Sequence, residues 1–154
     1  MSEHDVSNNV YDTIVVVGGG CYGSYYVTQL RRARAAGKIA YERIVVADRD
    51  PACAAAQVAH GDPDVTIVPR DWTTFFDEYL GNTHPETRDA IVPSPLMPHL
   101  MYEWLLRRAR ARWSDRTVET VPLPAPPPTP WHRPAPDGTS YASYATWMCP
   151  INCV

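Results

Sequence analysis

The stretch "IVVVGGGCYGSYYV", residues 14 to 27, places four β-branched residues directly before three consecutive glycines. The run "TIVVV" (13–17) is continuously apolar and ends at a glycine, which is typical of a strand buried on both faces. The residues after the glycines, "CYGSYYVTQLRRARAAG", repeat apolar side chains at helical spacing and end at Gly37. The sequence therefore predicts a strand, a glycine turn and an amphipathic helix.

Strands and helices alternate from this turn as far as residue 121. Further strands are predicted at 43–48, 65–69, 89–93 and 117–121, with Asp71 placed to cap the helix that begins at residue 72. Alternating strands and helices favour a parallel sheet with right-handed crossovers. We therefore expect an α/β fold with a doubly wound, five-stranded parallel sheet in the Rossmann-like order 3-2-1-4-5.

The composition changes abruptly after this predicted sheet. Residues 122–136, "PLPAPPPTPWHRPAP", contain eight of the 16 prolines and predict an extended, polyproline-like arm. Such an arm serves either as a spacer or as a docking segment for a partner protein. The predicted organisation is a Rossmann-like domain at 1–121, a Pro-rich linker arm at 122–136 and an aromatic, Cys-containing tail at 137–154.

Length and charge limit the classes of function. The chain has 154 residues, enough for about one domain, and its 14 basic and 17 acidic residues give a formal net charge of -3. This balance favours neither a nucleic-acid partner nor an anionic membrane. The polar start "MSEHDVSNNV" lacks a signal-peptide pattern, and no apolar run approaches the roughly 18 residues of a spanning helix. We expect a cytoplasmic protein without membrane insertion.

Three of the glycines form a dinucleotide-binding pattern. Gly18, Gly20 and Gly23 satisfy G-x-G-x-x-G, in which they allow a tight turn, a close approach to a pyrophosphate and helix-on-strand packing. Asp48 ends the second predicted strand, where a carboxylate binds the hydroxyls of an adenosine ribose. A 2′-phosphate would be repelled there, so NAD is the favoured cofactor. Arg49 leaves NADP as an alternative, and S-adenosylmethionine is another.

This part of the chain resembles a known family. "IVVVGGGCYGSYYV" followed by "IVVADRDP" is similar to the nucleotide-binding domains that regulate potassium channels and transporters. The resemblance covers the first 70 residues or so and implies a cofactor-binding half. Taken whole, with "IVPSPLMPH" and "SYASYATWMCPINC", the chain also resembles a group of small prokaryotic proteins that join such a domain to a Pro-rich segment and a Cys-Pro-x-x-Cys tail.

Other residues are candidates for contact with the dinucleotide or its substrate. Cys21 and Tyr22 lie inside the glycine turn. Pro93 and Ser94 follow the fourth predicted strand, where the carboxyl ends of the strands face the ligand at a topological switch. His99 follows in the same loop and is the candidate catalytic acid or base, with a surface histidine as the alternative.

The tail carries a second group of candidate ligands. Cys149 and Cys153 supply two thiols in a C-x₃-C pair, whereas zinc or an iron–sulfur cluster normally takes four protein ligands. Cys21 and Cys53, or a second copy of the tail, would complete such a site. The alternatives are a dithiol–disulfide switch and unligated thiols.

Two functions from different classes agree with these patterns. The first is a small NAD(H)-binding protein of oxidoreductase type, which needs a homo-oligomer or a partner protein to complete its substrate pocket. The second is a non-catalytic regulatory module that senses nucleotide or redox state and acts through its tail.

Overall fold

The computed structural model describes residues 9–82, 84, 86–97, 99–136 and 138–144. The chain divides between Arg108 and Ala109 into two compact units. The first unit contains the predicted glycine turn.

A parallel sheet of four strands forms the centre of the first unit. The strands are β1 (Val10–Val17), β2 (Ala40–Asp48), β3 (Val65–Pro69) and β4 (Ala90–Val92), in the order β3-β2-β1-β4. Val15 of β1 pairs with Val45 of β2 on one side and Ile91 of β4 on the other. The α/β class, the parallel sheet and the order of its first four strands are therefore confirmed.

Helices follow each of these strands. They are α1 (Cys21–Ala35), α2 (Ala54–Val58), α3 (Trp72–Gly81) and α4 (Leu100–Arg112). The predicted cap of α3 is present, because the Asp71 carboxylate accepts a hydrogen bond from the Thr74 amide at 3.0 Å. Hydrogen bonds from Thr74 also lower the pKa of Asp71.

The core occupies both faces of the sheet, because alternate residues of each strand point to opposite sides. On one face, Val16 and Ile44 pack in a cluster with Val27 of α1 and Ala55 of α2. On the other, Val15 packs in a cluster with residues of α3 and α4 (Phe75, Phe76, Leu100, Met101 and Trp104). Because helices cover both faces of the sheet, β1 is continuously apolar from Ile14 to Val17.

The prediction of a fifth parallel strand at 117–121 was wrong. None of these residues lies in a strand, and Val121 is 84% exposed. The segment "TVETV" has polar residues at three of its five positions, whereas a strand of a two-sided parallel sheet needs apolar residues at nearly every position. Two prolines follow at 122 and 124, and proline cannot donate to a strand ladder.

The second unit contains an antiparallel pair of strands instead. β5 (Trp131–Pro134) pairs with β6 (Ser140–Ser143), and Arg133 lies opposite Tyr141. Part of the predicted polyproline-like arm is therefore a β-strand. Among the described residues, no helix is long and apolar enough to cross a membrane.

Two matched substitutions test the corrected strand assignment. Val16→Ala removes two methyl groups from a fully buried position of β1 and should lower the free energy of unfolding by about 2 kcal/mol. Val121→Ala should change it by less than about 0.5 kcal/mol, because this side chain is solvated. Urea unfolding followed by circular dichroism measures both values. An equal loss of unfolding free energy in the two variants would indicate that residues 117–121 form part of the sheet.

Candidate functional site

The glycine turn joins the carboxyl end of β1 to the start of α1. Gly18 has φ +85°, a backbone conformation that favours glycine, and its amide donates to the Ala47 carbonyl of β2 at 2.9 Å. Gly20 immediately precedes α1 and accepts the first helical hydrogen bond from Ser24 at 2.9 Å. The chain thus changes from strand to helix within three residues, 18 to 20.

Gly23 allows α1 to pack directly on this turn. A Cβ at residue 23 would overlap the Gly18 carbonyl oxygen and lie 2.9 Å from the carbonyl carbon. Backbone atoms cannot move aside as a flexible side chain can, so only glycine fits. This is the helix-packing role that the sequence pattern predicts for the third glycine of the motif.

Gly19 has a structural role that the sequence reasoning missed. A Cβ there would overlap the Cys53 Sγ and lie 3.0 Å from the Cys53 Cβ. The Gly19 carbonyl also accepts a hydrogen bond from the Ala55 amide at 2.8 Å, which fixes the start of α2 against the turn. The run of three glycines was the available signal, because the motif itself leaves this middle position open.

Gly20 is different from the other glycines of the turn. Its φ of -71° suits any residue, and a Cβ there would meet no protein atom within 4 Å. No side chain caps α1, and no acidic residue lies in its first turn. The first amide groups of α1 are therefore not capped by a side chain, and they carry the positive end of the helix dipole.

Asp48, the candidate ribose-binding carboxylate, lies beside the turn. Its Oδ2 accepts from the Gly19 amide at 2.6 Å, and its Oδ1 accepts from the Asp50 amide at 2.9 Å. Because each carboxylate oxygen has two lone pairs, both oxygens can accept another hydrogen bond. The carboxylate is half-buried, while Arg49 is exposed.

Trp72 also borders the turn, although sequence reasoning did not select it. Its indole Nε1 donates to the Ala47 carbonyl at 3.2 Å, the same oxygen that accepts from the Gly18 amide. The indole ring lies 3.8 Å from the position of a Cβ at Gly18. In the sequence, its only distinguishing feature is that it is an aromatic residue shortly after the third predicted strand.

An apolar cavity of about 200 Å³ lies at the carboxyl ends of β1 and β4. These two strands flank the topological switch, because β1, β2 and β3 follow in one direction and β4 returns to the other side of β1. The lining residues are Val17, Phe76, Ile91, Pro93, Met97, Leu100 and Met101. The structure thus places Pro93 near the end of β1, and Ser94 accepts from the Met97 amide at 3.0 Å in the turn that follows.

His99 immediately precedes α4, whose first two residues line the same cavity. Its Nε2 lies 3.8 Å from Glu103 Oε1, one turn along the helix, and its side chain is 28% exposed. The imidazole is therefore close to a carboxylate of this helix.

The two cysteines that the structure describes differ in their exposure to solvent. Cys21, the first residue of α1, is exposed, and Cys53 is buried; neither forms a disulfide. Tyr22 follows Cys21 on the first turn of α1. Within the part of the chain that the structure describes, no group of three His, Cys, Asp or Glu side chains is placed to hold a metal. Cys149 and Cys153 lie outside the described residues.

Three comparisons with known proteins complete this description. No family model, curated protein or solved structure matches the chain significantly.

The glycines of the turn can be separated by their effects on stability. Gly23→Ala should lower the free energy of unfolding by about 2 kcal/mol or more, because its Cβ would overlap backbone. Gly20→Ala should leave it within about 1 kcal/mol of the wild type, because its Cβ enters open space. Both values come from urea denaturation. A loss at Gly20 as large as that at Gly23 would show that the protein itself requires the second glycine.

Proposed function

We propose that the protein binds NAD(H) with its pyrophosphate over the glycine turn. The observation that carries the proposal is the open space at Gly20. Backbone conformation or packing explains the glycine at positions 18, 19 and 23, whereas no described protein atom requires one at position 20. A bound pyrophosphate does require it, because a side chain there would block access to the helix amides.

The position of Asp48 favours a dinucleotide over other anions as the ligand of the turn. Its carboxylate is held by two backbone amides at one side of the turn and can accept from vicinal hydroxyls at its remaining lone pairs. A 2′-phosphate at this position would meet a negative charge, so the proposed cofactor is NAD(H) and not NADP(H).

The apolar cavity between the ends of β1 and β4 is proposed to take the nicotinamide end of the dinucleotide. It lies at the switch point, where open α/β sheets bind ligands, and its lining is apolar apart from backbone groups. In the proposed oxidoreductase, bound nicotinamide would supply or accept a hydride. His99, whose Nε2 lies 3.8 Å from Glu103 Oε1, would give or take the proton that balances this transfer.

The alternative is a non-catalytic nucleotide-sensing module, which the size of the cavity favours. At about 200 Å³ it is smaller than the roughly 300 to 1,000 Å³ of most small-molecule sites, so a nicotinamide ring would leave little room for a substrate. An assay of NADH oxidation by the purified protein with a panel of carbonyl substrates separates the two functions. Turnover supports the enzyme, whereas binding without turnover supports the sensor.

Gly20→Val tests the proposed pyrophosphate site. The valine should weaken NADH binding by about 100-fold or more in calorimetry, because its branched side chain would occupy the phosphate path. Gly81→Val is the matched control, since its Cβ also meets no atom within 4 Å but lies at the end of α3. Unchanged affinity in Gly20→Val, with a thermal midpoint like that of wild type, would refute the site.

Asp48→Asn tests the assignment of the ribose position. The amide keeps one oxygen for the Gly19 N–H but removes the charge, so the preference for NAD over NADP should fall by about tenfold. Asp50→Asn removes the same charge from an exposed position two residues away and should leave the preference unchanged. A wild-type protein that binds NADP as tightly as NAD would contradict the assignment.

A further inference from the structure

A second cavity lies towards the amino ends of the strands, away from the glycine turn. It has a volume of about 400 Å³ and is lined by side chains of β2, of α3 and of the segment before β4, among them Arg43, Tyr79, His84 and Asp89. Arg43 pairs in register with Thr13 of β1. The five residue steps from Thr13 to Gly18 span roughly 16 Å, and no residue of the glycine turn lines this cavity.

A hydrogen-bond network fixes the polar wall of this cavity. The Asp89 carboxylate accepts from the Thr13 amide at 3.1 Å and from the Tyr79 hydroxyl at 2.5 Å. The Arg43 Nε donates to the Thr13 Oγ1 at 3.0 Å, and Thr13 is only 2% exposed. Burial and the hydrogen bond to Asp89 raise the pKa of Tyr79, which keeps its hydroxyl protonated. The hydrogen bond to Thr13 connects the exposed Arg43 side chain to this network.

Arg43 supplies a positive charge to this cavity. Two carboxylates also line it: Asp89, which accepts two hydrogen bonds, and Glu78, which lies 3.7 Å from Arg70. Within the described part of the chain, no carboxylate forms an ion pair with Arg43. Because its Nε faces Thr13, the two terminal nitrogens of Arg43 retain the forked geometry that binds a carboxylate. The exposed imidazole of His84 adds another donor on the same wall.

The lining also includes apolar and aromatic side chains. The rings of Phe75 and Tyr79 stack with their centroids 5.3 Å apart and an interplanar angle of 13°, and Val68 lies beside them. A flat or branched apolar group would remove surface of these side chains from water. Inorganic anions would use only the Arg43 side of the cavity.

We propose that this cavity binds a small organic acid, with its carboxylate on Arg43 and its apolar body against Phe75 and Tyr79. The proposal is independent of the dinucleotide, because no residue of the glycine turn lines this cavity. The ligands proposed for this cavity are aromatic or branched aliphatic carboxylates, a second class beside the dinucleotide.

Titration of the full chain with benzoate, in the absence of any nucleotide, tests the proposal. Benzoate should give saturable shifts of the amide NMR signals of residues 79–89 and of Arg43, and the neutral isostere benzamide should give none. Arg43→Gln should weaken benzoate binding about tenfold, because it removes the charged partner. The matched control Arg32→Gln removes the same charge from an exposed position on α1 and should have no effect.

Thermal unfolding of each variant shows whether it folds. If Arg43→Gln loses the fold, His84→Gln replaces it, since His84 is exposed and lies on the same wall, and a lower benzoate affinity is then expected. The proposal is overturned by the absence of saturable shifts in the wild type, by shifts confined to the glycine turn, or by equal affinity in wild type and a folded Arg43→Gln. Because no nucleotide is present, failure of the dinucleotide proposal leaves these outcomes unchanged.

Discussion

The contact between Gly18 and Gly23 is the constraint on which the rest of the first unit depends. The Gly18 carbonyl oxygen occupies the position that a Cβ on residue 23 would take, so α1 leaves the turn at the closest possible distance from β1. The neighbouring Gly19 is held on both sides, by the Asp48 carboxylate at its amide and by the Ala55 amide at its carbonyl. The turn therefore links β1, α1, β2 and the start of α2.

This tight packing also determines what the turn can offer to a ligand. Because α1 starts at the end of β1 without a side-chain cap, its first amide groups face the edge of the sheet where ligands of open α/β folds bind. The same packing brings Asp48 within 2.6 Å of the Gly19 amide. The proposed pyrophosphate and ribose positions thus follow from one local arrangement of backbone.

Local patterns predicted the four parallel strands, their order and the glycine turn, because these follow from apolar runs, helical spacing and a short motif. The prediction of a strand at 117–121 was wrong, since a segment with polar residues at three of five positions does not suit a sheet that is covered on both faces. Two features had no local signal. Cys53 packs on Gly19, and Asp89 bonds to Thr13 across 76 residues; such contacts exist only once the strands are assembled. For the proposed site, Gly18, Gly20, Gly23 and Asp48 were predicted from spacing, whereas Trp72 and the lining residues of the apolar cavity other than Pro93 were not.

A crystal structure of the protein with NADH bound tests the proposed function most directly. We expect pyrophosphate oxygens about 2.7 to 3.2 Å from amide nitrogens at the start of α1, directly over Gly20, and the adenosine ribose hydroxyls on the Asp48 carboxylate. The nicotinamide should lie at the apolar cavity between the ends of β1 and β4. Nucleotide bound at another surface, or crystals grown at saturating NADH with the glycine turn open to solvent, would contradict the proposal.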